Sequence, residues 1–142
     1  MANYVGAMRT NYFRVTNEDE LVQLIDECHT DDPKGVELWT CEDDDGIKRY
    51  AFACEGDLLG LADDSEDPDY DYDGFIAELQ KLLPEGEAVV ITSVGKQKLC
   101  YLHGDVHVVT KNKTIIKSLR SIGTELAREL LGDSKWDTKN EY

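Results

Sequence analysis

Two β-favouring runs, Val36 to Cys41 and Ile47 to Cys54, are separated by Asp43-Asp44-Asp45-Gly46. Asp-Gly between such runs is a strong signal for a hairpin turn, so the middle of the chain is committed to antiparallel pairing. With the turn centred on Asp45 and Gly46, Trp39 faces Phe52 and Cys41 faces Tyr50, and that face is expected in the core.

The flanking segments extend this plan. Tyr12, Phe13 and Val15 make Thr10 to Thr16 a first strand. Asn17 followed by Glu20 has the form of a capping box with Asn in place of Ser or Thr, and Leu21, Leu24, Ile25 and Cys28 then recur at helical spacing up to Pro33 and Gly35. The pattern weakens through Leu58, Leu59 and Leu61. It returns as a second helix on Phe75, Ile76, Leu79, Leu82 and Leu83, with Asp71 or Asp73 as its N-cap and Pro84 and Gly86 closing it. Ala88 to Val94, Lys98 to His103 and Val106 to Thr110 read as a meander turning at Gly95-Lys96 and Gly104-Asp105. Ile115, Leu119, Ile122, Leu126 and Leu130 then make a long amphipathic helix stopped at Gly132. The expected class is α+β, a largely antiparallel or mixed sheet of about six strands in the order β-α-β-β-α-β-β-β-α, with three helices laid on one face. Residues 1–133 are expected to form a single domain, and residues 134–142 a polar tail with an exposed Trp136.

A chain of 142 residues can bury a real core. Its charge is the feature that departs from average: 15 basic residues against 30 acidic leave −15, with a pI near 4.4. Such a field argues against direct binding to DNA, RNA or anionic membrane and attracts basic surfaces. Between Glu42 and Asp73 thirteen acidic residues stand against Lys48 and Arg49, a net of −11, while Lys111, Lys113, Lys117 and Arg120 form a run without an acid. The molecule is therefore expected to be a dipole as well as an anion. No apolar run approaches the roughly 18 residues of a membrane span and the start lacks a signal pattern, so a cytoplasmic protein with reduced cysteines is expected.

The acid is densest from Asp63 to Asp73, with carboxylates at Asp63, Asp64, Glu66, Asp67, Asp69, Asp71 and Asp73. From Asp67 they alternate with Pro68, Tyr70 and Tyr72. In an extended chain one edge would carry a carboxylate about every 6.6 Å, comparable with phosphates along a nucleic-acid strand, and the other edge aromatic rings. Three readings compete: a solvated loop, an oxygen-ligand metal site, or an imitation of a nucleic-acid backbone offered to a basic protein. On the last, Asp63, Asp64, Glu66, Asp67, Asp69 and Asp71, with Asp43, Asp44 and Asp45 of the hairpin, form the partner-binding surface.

Two metals are weighed. Asp69 to Gly74 matches the opening half of an EF-hand calcium loop, but the twelfth position is Gln80 where a bidentate Glu belongs. For zinc, a turn at Gly104-Asp105 would put Cys100 opposite Val109 and make it a diagonal neighbour of His107, with Cys28 on a covering helix as a third ligand. The competing account treats buried cysteines as small hydrophobes and the histidines as hairpin surface residues. No catalytic motif is present: there is no Gly-x-Ser-x-Gly, no P-loop and no His-Glu-x-x-His. A non-enzymatic protein requiring no cofactor is therefore expected.

The acidic balance, the Asn-Tyr-Phe-Arg-Val-Thr-Asn-Glu-Asp-Glu start, the Val-Glu-Leu-Trp strand and its Tyr-Ala-Phe-Ala-Cys-Glu-Gly partner resemble small proteins carried by mobile elements of gut bacteria. In kind the chain is similar to anti-CRISPR proteins that inhibit Cas9, and after them to antirestriction DNA mimics. The likeness spans about the first ninety residues, carries no residue-level motif and implies no particular fold. It implies a partner, a basic nuclease such as Cas9 or its guide-RNA complex, blocked from binding nucleic acid. The alternative is a small zinc- or calcium-binding domain of unrelated function.

Overall fold

The computed structural model describes residues 4–62, 69–99 and 101–137. Its order is β1 (Tyr4–Thr10), α1 (Glu18–Glu27), β2 (Cys28–Thr30), β3 (Glu37–Glu42), β4 (Lys48–Glu55), β5 (Leu58–Ala62), β6 (Tyr70–Asp71), α2 (Tyr72–Leu82), β7 (Ala88–Gln97), β8 (Tyr101–Thr110), β9 (Thr114–Ser118) and α3 (Leu119–Leu131). The fold is α+β. Six strands pair antiparallel in the order β3-β4-β1-β7-β8-β9, and β2-β5-β6 make a smaller antiparallel sheet.

One face of the large sheet is buried. Met8, Thr10, Tyr50, Phe52, Val89, Ile91, His107 and Val109 all point to it, and α1 and α2 cover it with Leu21, Leu24, Ile25, Phe75, Ile76, Leu79 and Leu82. Phe13, Phe52 and Phe75 meet edge to face, with centroids 6.0 and 5.9 Å apart. Each such pair adds about 0.5–1.5 kcal/mol to the burial of the rings. Both helices carry the predicted stripes and caps: Asn17 accepts from Glu20 N at 3.1 Å and Asp71 from Gly74 N at 2.8 Å. Gly132, at φ 65°, closes α3.

Four expectations are corrected. The first strand is Tyr4–Thr10, because β1 finds partners on both sides there, while Phe13 makes only an isolated bridge to Tyr50. The hairpin is shifted by one residue: Trp39 pairs with Ala51 and Leu38 with Phe52. Its loop is Asp44-Asp45-Gly46, with Gly46 N donating to Asp43 O at 2.9 Å and Gly46 at φ 76°. A three-residue loop with a left-handed glycine replaces the two-residue turn, and the slip moves Trp39 to the opposite face. Gly95-Lys96 and Gly104-Asp105 are not turns, since β7 and β8 run through them in one continuous ladder from Ala88↔Thr110 to Gln97↔Tyr101. Ile115, taken into the last helix by its spacing, lies with Thr114 and Ile116 in β9 instead; β-branched residues beside the free edge of β8 favour a strand.

The third helix also departs from the plan. Gly104 lies on the face away from α1 and α2, and a Cβ there would collide with the Leu119 side chain. The first turn of α3 thus touches the other side of the sheet. The small sheet, unforeseen, is held close to α2 at Gly60, whose φ is +111° and whose added Cβ would sit 2.5 Å from Asp71 O.

Gly60→Ala should therefore cost more than about 2 kcal/mol through strain and backbone collision. Gly46→Ala, equally left-handed but with open space around it, should cost about 1 kcal/mol. Urea unfolding of both variants checks this ranking, and equal losses would contradict it.

Candidate functional site: an acidic surface in two groups

The extended alternation of carboxylates does not continue to Asp73. Asp63, Asp64, Glu66 and Asp67 lie outside the described residues. The extended conformation ends at Asp71, because helix α2 starts at Tyr72. Alternation consequently stops where the helix begins. Asp69 and Asp71 are exposed, and Asp71 doubles as the α2 cap. The helix also begins inside the segment that matched a calcium loop, so the EF-hand geometry is absent.

The two aromatic residues of the stretch part company. Tyr70 is exposed and its ring lies 5.5 Å from that of His29. Tyr72 turns inward, and its Oη lies 2.7 Å from His107 Nδ1. Burial first, and the Asp73 charge second, push its phenol up to about 12. Thr114 Oγ1 bonds the other ring nitrogen of His107. Both nitrogens of His107 are thereby engaged by hydroxyls. Desolvation holds its pKa below the ordinary value, opposed by Asp73.

This arrangement bears on the zinc set. Since β8 is unbroken, the turn that would bring Cys100 beside His107 does not exist, and Cys100 itself lies outside the described residues. Cys28 is buried, paired with Leu61 in the small sheet, and burial raises its thiol to about 12. A protonated thiol and a histidine already bonded on both sides are poor ligands. Among the described residues no group of three or more His, Cys, Asp or Glu is placed to hold a metal ion.

The hairpin acids are partly compensated. Arg49 pairs with Asp43 and, at 3.3 Å, with Asp45, while Asp44 is exposed in the same loop. The Asp45 carboxyl is held below its usual range by the Ile47 N–H first and Arg49 second. Nearby, Lys48 reaches Glu18 at 2.8 Å, tying the hairpin to the first turn of α1.

A second acidic group was missed by sequence reasoning. The turn after β2 packs on the start of β5: Asp57 N donates to Asp31 Oδ1 at 2.8 Å, and Lys34 N to Asp32 Oδ1 at 2.8 Å. Asp31, Glu55 and Asp57 are exposed there and Asp32 half-exposed. All four act on the Cys54 thiol, which burial first and then Asp31, Asp57, Asp32 and Glu55 push up to about 12. The local signals were Asp31-Asp32-Pro33-Lys34-Gly35 and Gly56, a turn composition whose contact with Asp57 depends on the unforeseen β2–β5 pairing. Among the described residues no Lys or Arg is salt-bridged to Asp31, Asp32, Glu55, Asp69 or Asp71. The Asp31 group and Asp69–Asp71 flank opposite ends of β5, about 16 Å apart by strand rise.

No helix among the described residues is long and apolar enough to cross a membrane. No family model, no curated protein and no solved structure matches the chain.

The buried His107 gives a pH prediction. Its folded pKa is depressed, so the stability it contributes is present above the unfolded value of about 6.5 and is lost as pH falls through the folded value. Urea unfolding at pH 7.5 and pH 5 should show lower stability at pH 5, and His107→Gln should shrink that difference. A difference unchanged in the variant would contradict the assignment.

Proposed function

We propose that this protein is a non-enzymatic acidic inhibitor that binds a basic nucleic-acid-handling protein, acting as an anti-CRISPR on Cas9 by occupying a surface meant for nucleic acid. The observation that carries the reading is the segregation of charge. Asp31, Asp32, Glu55, Asp69 and Asp71 stand without a salt-bridged cation among the described residues, while Asp43 and Asp45 are already matched by Arg49. Carboxylates whose only function is solubility need no fixed placement. Here backbone donors hold two of them, Asp31 and Asp32, so little rotamer freedom remains to be lost when a guanidinium or ammonium arrives. Charge-assisted bonds to Arg or Lys are worth about 1.5–3 kcal/mol each before desolvation costs.

Amide replacement separates charge from shape, because Asn and Gln keep the acceptor oxygen that each turn uses. Asp32→Asn, Glu55→Gln, Asp57→Asn and Asp69→Asn combined should weaken binding to Cas9 by more than tenfold, with urea stability little changed. Asp43→Asn with Asp45→Asn should change it less than about threefold, since both carboxylates are already engaged by Arg49, which offsets part of their charge. Parent binding should also fall steeply as salt is raised, because exposed charges attract over only about 8 Å at physiological ionic strength. Titration calorimetry against Cas9, with and without guide RNA, reads all three. Equal affinity for the parent and the fourfold amide variant would sink the proposal, as would no binding of the parent to either form.

A further inference from the structure

The large sheet has a second face that the described residues leave largely open beyond the Leu119 contact at Gly104. Strand register puts Val90, Val94, Val106, Val108, Leu102 and Ile115 on it, opposite to the buried set. Val94, Leu102 and Ile115 are 47%, 49% and 56% exposed, and the other three half-exposed. The same chain carries an amphipathic helix whose apolar stripe the described residues cover only near its start. In α3 no residue is buried; Leu126 is 53% exposed and Leu130 88%. The two deficits are of matching kind, since a bare apolar sheet and an apolar helix stripe are the two layers of an α/β pair.

Connectivity explains why they do not meet within one chain. β9 ends at Ser118, which is itself the N-cap of α3, so no loop residue separates strand from helix. The helix therefore leaves the sheet directly from the end of β9. It touches the sheet near its start, with Leu119 over Gly104 and Glu125 paired to Lys117 at 3.4 Å; Ile122 and Ala127 are half-buried, while Leu126, Leu130 and Leu131 stay exposed.

We propose that two copies of this chain form a two-fold dimer in which α3 of each lies across the open sheet face of the other. Charge favours this choice of occupant. Residues 98–137 carry seven basic and five acidic side chains, a net of +2, whereas residues 1–97 carry −17. Pairing through the near-neutral part leaves the acidic parts outside the contact, so the repulsion between two chains of −15 is kept away from the interface. Size is adequate too. A helix about 20 Å long and 10 Å across removes on the order of 700 Å² counting both surfaces. The reciprocal contact doubles this, into the roughly 1,200–2,000 Å² of stable dimers. Pairing through the β9 edge itself is disfavoured by Lys113 and Lys117 at and beside that strand.

The test is the mass of the full chain in solution and the position of the contact. Light scattering at about 50 µM should give about twice the 16.0 kDa of one chain. Leu126→Glu in α3 and Val94→Glu on the sheet should each return the single-chain mass, with unchanged circular dichroism because both sites are exposed in one copy. A photo-crosslinking residue at position 126, in a mixture of isotopically heavy and light chains, should give heavy–light adducts to β7 or β8. A single-chain mass for the parent overturns the proposal. A dimer that survives both charge substitutions, or whose adducts join α3 to α3, overturns the arrangement.

Discussion

Everything else in this fold hangs on the burial of a single sheet face. Phe13, Phe52 and Phe75 come from the segment after β1, from β4 and from α2, and all three are fully buried in mutual edge-to-face contact. Their meeting fixes the crossing of α2 over the sheet, and with it the position of Asp71 as the helix cap. Phe13 is held there by reciprocal backbone bonds with Tyr50, both 2.8 Å. Removing a ring of this size from such a core costs about 3–5 kcal/mol. The acidic surface is thus displayed by a scaffold held mainly by apolar burial, to which Asp71 adds a helix cap and Asp31 and Asp32 add turn bonds.

What the sequence disclosed and what it withheld divide along one line. Helices α1 and α2 were legible because stripe, cap and stop signal agreed at each: Asn17 with Leu21, Leu24 and Ile25, and Asp71 with Phe75 through Leu83. Strand boundaries were less legible, because partners decide them. Gly95 and Gly104 resemble turn residues in isolation, yet each is a through-strand position once β1 and β9 flank the β7–β8 pair. The hairpin register turned on one residue in the loop, since Asp-Gly supports a two-residue turn and a three-residue loop equally well on composition.

The candidate site was half legible for the same reason. The density of acid from Glu42 to Asp73 is plain in the sequence, but which charges are spent internally is a tertiary property. Arg49 lies six and four residues from Asp43 and Asp45 and bridges both, offsetting about half their charge, only because the hairpin folds it back. Asp31 and Asp32 join Glu55 and Asp57 only through the β2–β5 pairing, which three residues of sequence could not announce. Tyr72, one of the alternating aromatics, belongs to the core through His107 and Thr114.

Whether these carboxylates take a place meant for nucleic acid, as proposed above, is best read by competition. A fluorescent target duplex bound to Cas9 and its guide RNA should be released as this protein is added, in proportion to occupancy and with no complex holding both. A stable complex containing nuclease, duplex and this protein together, with duplex affinity unchanged, would contradict the proposal.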